Sequence, residues 1–288
     1  MSVTLSLSCV VLSMGNRPVE LKRALDSVRA QRGEPIELVV VGNGADVPDL
    51  PDDVVYLRLP ENVGLPEGRN RGYAASRGEL ILFLDDDGWY PDDGLAEWVR
   101  ARFATDKRLG VLSFRIVDEE GATARRHVPR LRAGDPMRSG DVTTFLGGAS
   151  AVRREMLDRV GGLPGDFFWA HEETDLAWRA LDAGYRIVYD AHAVMGHPRT
   201  SPARHANYYR MNARNRVWLA KRNLPLPLGI VYVGDWLALT VARERSASAL
   251  RPWFRGLAEG CRTSAGPRRP ISWRTAWRMA RLGRPPII

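Results

Sequence analysis

Cysteine is scarce. Cys9 and Cys261 are the two in 288 residues, and no CxxC spacing occurs. That excludes a disulfide scaffold and a cysteine-rich zinc site, and leaves a reduced, cytoplasmic chain as the expectation. Long apolar runs are lacking too. Val3 to Leu12 is apolar, but no basic residues precede it and no small-residue cleavage site follows, so it reads as a buried strand and not a signal peptide. The nearest approach to a membrane span, Leu226 to Val241, is short and carries Asp235 near its middle. Acids and lysines are missing from the end of the chain. From Arg243 onward there are 11 arginines, no lysine, and only Glu244 and Glu259 as acids. The net charge of +8 therefore belongs to that segment, and the first 242 residues sit near −1. The bulk of the chain lacks the footprint of a nucleic-acid binder, and no nucleic-acid partner is expected.

What is present is an alternation of strand and helix signals, the pattern of an α/β sheet. Strands are expected at Val3–Leu12, Glu37–Val41, Val54–Leu59, Glu79–Leu84 and Gly110–Val117. Helices are expected at Pro18–Gln31, Leu65–Arg77 and Gly94–Ala104. Gly121 to Asp141 is polar and arginine-rich and reads as a mobile loop, placed to act as a lid. A short strand at Thr144–Val152, a helix at Glu172–Ala183 and a strand at Arg186–Tyr189 follow. After them come helices at Ala203–Arg222 and Pro227–Arg243. Gly266, Pro267 and Pro270 suggest poor order in parts of the tail beyond Ser246. The expected division is a catalytic domain over 1–200, a helical extension over 201–245 and a basic, aromatic-rich tail over 246–288.

Asp85-Asp86-Asp87 directly follows the apolar strand Leu80 to Leu84. Alternation along a strand would put Asp85 and Asp87 on one side and Asp86 on the other. Ligands of open α/β sheets bind outside the carboxyl ends of the strands, where adjacent carboxylates need a cation or donors to neutralise them. Hard oxygen ligands suit Mg²⁺ or Mn²⁺ shared with phosphate oxygens. A solvated acidic turn is the plainer alternative. A second acidic group, Glu172-Glu173-Thr174-Asp175, opens a helix. Its acids either complement the helix dipole or include a general base. A zinc-protease helix would need His where Asp175 stands. Gly42-Asn43-Gly44 begins like a dinucleotide fingerprint, but Val47 replaces the third glycine, and Pro48 and Pro51 prevent the receiving helix. Arg69, beside a glycine-rich turn, suits phosphate or a nucleotide carbonyl.

These pieces stand in the order found in family 2 glycosyltransferases, whose nucleotide-binding domain has the GT-A fold. Val10 to Arg17 resembles the family's first strand and donor loop, Leu25 to Gln31 its "aLxSvxaQ" helix, and Val39 to Asp46 its "VVDNGSxD" segment. Asn62, Gly64, Arg69, Asn70 and Gly72 match "NxGxxxxRNxG", and Phe83 to Asp87 matches the metal motif. Gly147 to Arg153 is similar to the acceptor-side strand, and Glu172 to Arg179 to "EDxDLxWR", followed by His197. The resemblance spans residues 3 to 222 and is nearest to inverting, rhamnosyltransferase-like bacterial enzymes. It implies a mixed, mainly parallel sheet and transfer of a sugar from a UDP, dTDP or GDP sugar to a hydroxyl on a glycan or a lipid-linked carrier. It implies that Ser13, Asn16, Asn43, Arg69, Asp85 and Asp86 bind the donor, and that Asp87 and His197 hold Mn²⁺ or Mg²⁺. Gly148 and Trp169 would face the acceptor, with Glu173 the base and Glu172 its close alternative. Gly42 departs from the family's usual Asp, and Gly15 from its larger side chains, which leaves the nucleotide base open.

A non-catalytic sugar-nucleotide scaffold predicts loss of these carboxylates, and a nucleotidyltransferase needs a basic activating loop for which Arg17 alone is a poor substitute. The arginines and tryptophans of the tail suggest peripheral attachment to an anionic membrane face.

Overall fold

The computed structural model describes residues 4–131, 134–199 and 207–288. Among the described residues, eight strands form one sheet in the order β3-β2-β1-β4-β7-β5-β8-β6. Strands β1 (Leu7–Ser13), β2 (Glu37–Asn43), β3 (Val54–Leu59) and β4 (Leu80–Asp85) run parallel. β7 (Ala149–Arg153) lies antiparallel between β4 and β5 (Leu109–Val117). β5 pairs in parallel with β8 (Arg186–Gly196), and β6 (Gly140–Asp141) closes the edge antiparallel to β8.

Buried on both faces, the central strands are continuous apolar runs, as helix-covered parallel sheets require. Cys9, Val11, Leu38, Val40, Leu82 and Leu84 pack on one face beneath α1 (Pro18–Arg29) and α3 (Leu95–Thr105). Pro18 opens α1 where its missing N–H costs nothing, and Leu21, Ala24, Leu25 and Val28 give it one buried stripe. Val10, Val39, Val41, Ile81 and Phe83 face the other side. Helices α2 (Leu65–Ala75), α4 (Arg154–Val160) and α5 (Glu172–Asp182) lie between the strands in the chain, and α4 and α5 bury Met156, Leu157, Leu176 and Trp178 in that same cluster.

Among the described residues, four further helices follow: α6 (Tyr208–Asn223), α7 (Leu226–Arg243), α8 (Ala247–Arg262) and α9 (Trp273–Arg281). The start of the helix expected from Ala203 lies outside the described residues. The tail differs from the expected poor order. Gly256 and Gly260 let α8 approach the backbone of α6 at Arg210 and Arg214, and a Cβ at either position would overlap that backbone. Trp253, Ile271, Ala276 and Met279 are buried, so Gly266 and Pro267 mark a turn between helices. α7 also departs from expectation, because its 18 residues reach, by length and composition alone, what a membrane span needs. Only Tyr232 on it is buried. Thr144–Val152 begins as strand only at Ala149, and Arg186–Tyr189 extends to Gly196 past a register shift opposite Phe114 and Arg115. Within Gly121–Asp141 the described residues hold a 3₁₀ turn at Arg125–His127 and the short β6.

Candidate active site

The adjacent strands β2, β1 and β4 end together, with Ser13 opposite Gly42 and Asp85 opposite Leu12. β4 stops at Asp85, so strand alternation does not extend to Asp86 and Asp87. In contrast to the expected outward Asp86, all three carboxylates line one cavity of about 930 Å³. Ser13 Oγ donates to Asp86 at 2.8 Å, and the Arg17 guanidinium lies 3.4 Å from Asp86 and closer still to Asp87. Burial pushes the Asp86 carboxyl up to about 6; repulsion from Asp87 and Asp85 adds to this, against Ser13 and Arg17. Asp87 is also buried, but the hydrogen bond and charge of His197, together with Arg17, hold its pKa below the ordinary value. His197 Nε2 sits 3.2 Å from Asp87 Oδ1. Burial opposes its protonation, but the bond to Asp87 and the charges of Asp85 and Asp87 raise its pKa overall.

His197 reaches this position through the extension of β8. Its N–H donates to Val117 O, and the preceding Gly196 exchanges two backbone bonds with Trp89 in the turn after the aspartates. A side chain at Gly196 would overlap the Trp89 ring. Asp85, Asp87 and His197 bring one ligand atom each to within 4.8 Å of one another. Two carboxylates and an imidazole fit Mn²⁺ or Mg²⁺ completed by phosphate oxygens.

Behind Asp85 lies Arg69. Expected to reach a nucleotide, it is buried instead, donating to Asp85 Oδ1 at 2.8 Å and standing 3.9 Å from Glu173 Oε1. Gly147 and Gly148 make this packing possible. A Cβ at Gly147 would overlap Glu173 and Arg69, and one at Gly148 would overlap the Asp85 carboxylate. Gly148 therefore touches the carboxylate rim from behind.

The facing wall is the loop before α5. Phe168, Ala170 and His171 have φ of 63°, 72° and 70°, left-handed values uncommon without glycine. Three residues of α6 hold this loop. The buried Asn215 amide donates to the carbonyls of Phe167, Trp169 and Ala170 at 3.0, 2.7 and 2.9 Å. Asn212 meets His171 Nε2 at 3.0 Å, and Arg214 donates to Phe167 O at 2.9 Å. The result projects Trp169 and Glu173 into the cavity. Glu172 is 1 % exposed and lies outside the cavity lining. Burial raises the pKa of both glutamates; the charge of Glu173 lifts Glu172 further, well above the carboxylate range, whereas Arg69 works against the rise at Glu173.

Ser13, Asn16, Asn43, the three aspartates, Trp169, Glu173 and His197 thus share one cavity, while Arg69, Glu172 and Gly148 stand behind it. Asn43 is tied into the loop after β3, accepting from Val63 N and donating to Asn62. Sequence reasoning did not single out Arg17, His127, Tyr208 or Asn212 for this wall. Arg17 was visible at the end of the first motif; the α6 residues belong to no local motif. His127 arrives from the arginine-rich loop, its ring centroid 6.3 Å from that of His197. Burial and the charges of Arg126 and His197 push its pKa down to about 4, so it faces the site neutral.

An open sheet presenting carboxylates and an imidazole beside a nucleotide-sized cleft is the architecture of GT-A nucleotide-sugar transferases. The family profile "Glycosyl transferase family 2" matches residues 9–161, and the chain belongs to that family. The pre-mycofactocin glycosyltransferase of Mycobacterium tuberculosis is 29% identical over 204 residues, 65% of this chain and 42% of that protein. The chain therefore spans less than half of that relative. Solved structures that share the fold include the following two. One is the mannosyltransferase PcManGT from Pyrobaculum calidifontis in complex with GDP-Man and Mn²⁺, at 16% identity and TM-score 0.59 over 90% of this chain and 85% of that one. The other is GalNAc-T7 with UDP, GalNAc and Mn²⁺, at 15% identity and TM-score 0.63 over 92% and 56%.

Proposed function

We propose that this chain transfers a sugar from a nucleoside-diphosphate sugar to an acceptor hydroxyl with inversion at the anomeric carbon. The observation that carries this reading is the convergence of Asp85, Asp87 and His197 in the same cavity as the carboxylate of Glu173. Asp85, Asp87 and His197 would hold Mn²⁺ or Mg²⁺, which supplies positive charge for the diphosphate leaving group. Ser13, Asn16 and Asn43 flank the nucleotide, and UDP, dTDP and GDP all remain candidates. Trp169 offers an apolar face to a sugar ring.

Glu173 takes the proton of the acceptor hydroxyl as that oxygen attacks the anomeric carbon. The bond from that carbon to the diphosphate oxygen breaks, and the nucleoside diphosphate leaves with the bonding pair. Arg69, standing between Asp85 and Glu173, works against the burial that raises the Glu173 pKa. Glu172 is the alternative base, but its place outside the cavity favours Glu173. Retention of every carboxylate speaks against a non-catalytic scaffold, and Arg17, bound to Asp86 and Asp87, does not form the basic loop of a nucleotidyltransferase.

The exposed flank of α7, with Leu226 and Ile230 68% and 65% exposed, suits peripheral attachment at the cytoplasmic membrane face, where a lipid-linked acceptor would be presented. Removing the tail would strip buried residues from the fold, so α7 is better tested by Ile230→Glu with anionic and neutral vesicles. Loss of vesicle retention at unchanged melting temperature is expected, and equal retention removes the membrane role.

Thermal-shift screening of nucleotide sugars with Mn²⁺ identifies the donor, because a ligand specific to the folded chain raises Tm by mass action. NMR of the product then reads its anomeric configuration, and retention of configuration would contradict direct displacement.

A further inference from the structure

A second cavity, of about 650 Å³, lies between α9 and the opposite end of the sheet, lined by Arg108, Arg186, Arg274, Arg278 and Arg281. Arg108 immediately precedes β5 and Arg186 opens β8, whereas His197 follows the far end of β8. An 11-residue strand separates the two places by about 30 Å. The two sites do not overlap.

Its charges are unevenly matched. Two carboxylates, Asp141 and Asp182, share the lining with five guanidinium groups, and both are committed. Asp141 pairs with Arg186 at 2.9 Å, and Arg186 also holds Asp106 at 2.6 Å. Asp182 Oδ1 accepts from Ser272 N, Ser272 Oγ and Thr275 Oγ1, fixing the start of α9. Arg278 makes one long bond, 3.4 Å to Leu181 O. Arg274 and Arg281 make no side-chain hydrogen bond or ion pair among the described residues, and Arg108 makes none but lies near enough to Asp106 for its charge to lower that carboxyl's pKa. Burial lowers the Arg278 pKa and Arg108, Arg186 and Arg274 lower it further, against Asp141, which reflects how closely these like charges converge.

Converging guanidinium groups repel unless an anion sits among them, and their planar forks match phosphate oxygens in pairs. We propose that this cavity is a binding site for a phosphate or diphosphate group, separate from the active site. The group could be carried by a soluble phosphorylated compound or by an anionic lipid headgroup. For the second source, α9 supplies Trp273 and Trp277, 55% and 69% exposed, beside the arginines. The proposal stands independently of the glycosyl-transfer reading.

The test is calorimetric titration of the full chain with inorganic pyrophosphate in excess EDTA, at about 0.15 M salt to screen loose surface pairing. The comparison is the double variant Arg274→Ala/Arg281→Ala, whose side chains lie outside the catalytic cavity. The proposal expects one site in the native chain and more than about tenfold weaker binding in the variant, at unchanged Tm. No binding by the native chain, or equal affinity in both, overturns it. Vesicles of phosphatidylcholine with and without phosphatidic acid then separate the sources. Retention on the acidic vesicles that the variant loses assigns the site to a lipid headgroup. Pyrophosphate binding without such retention assigns it to a soluble phosphate compound.

Discussion

The two walls of the catalytic cavity are built in different ways. On one, Ser13, Asn43 and Asp85 stand at the ends of three neighbouring parallel strands, and the sheet's register sets their spacing. On the other, Trp169 and Glu173 depend on a loop with three left-handed non-glycine residues, held by Asn212, Arg214 and Asn215 from α6. The first wall is as rigid as the core behind it. The second is as rigid as its contacts with a helix some 40 residues further along, so changes remote from the chemistry should disturb it selectively.

Asp87→Ala should have the largest effect. It removes a shared partner of Arg17 and His197 and one of the metal-ligand positions, and transfer should be abolished while Tm stays near native. A steady-state assay with thermal unfolding checks both halves of that statement. Glu173→Gln should lower kcat by about 10²–10⁴ with donor affinity nearly unchanged. Glu172→Gln should cost much less, and the reverse ranking would move the base to Glu172. The raised pKa of Glu173 also has a signed consequence. Its carboxylate forms only as pH rises past that value, so the acid limb of kcat/KM should lie above the ordinary glutamate range and vanish in Glu173→Gln.

Gly148→Ala should be next. The added methyl pushes on the Asp85 carboxylate, and a displacement near 1 Å at a reacting site can cost about 10²-fold in rate. Donor binding should weaken along with it, since the damage falls on the strand-built wall. Asn215→Ala should show the converse pattern. Taking the Asn215 amide away from the Trp169 and Ala170 carbonyls, while Phe167 O keeps Arg214, should cost about 1–3 kcal/mol of stability, read by denaturant unfolding. It should also lower kcat through misplaced Glu173 while nucleoside diphosphate affinity holds. If donor affinity falls equally in both variants, the walls are not independent.

The same contrast explains what could be read from the sequence. β2, β3 and β4 follow apolar runs and α1 a helical spacing, so their positions were legible to within a few residues. The three aspartates were legible as candidate ligands because they close an apolar strand at the carboxyl end of the sheet, and the structure brings all three to one cavity. The orientation of Asp86 was not, because β4 ends one residue earlier and turn geometry replaces alternation. Arg69 was readable as an arginine beside a glycine-rich turn, but its burial behind Asp85 depends on the close approach of Gly147 and Gly148, just before β7. The order of the tail was hidden for a similar reason. Its two helices are held by packing on α5 and α6, which no local composition reveals.

The most direct test of the account is equilibrium binding of UDP and GDP to the native chain and to Asp87→Ala, each with Mn²⁺ and with excess EDTA. The account predicts that at least one nucleotide binds the native chain with Mn²⁺. EDTA, or loss of the Asp87 carboxylate, should weaken that binding by more than about tenfold, or 1.4 kcal/mol. Affinity equal in EDTA and in Mn²⁺ would contradict it, because the diphosphate would then be held without the cation that Asp85, Asp87 and His197 are arranged to carry.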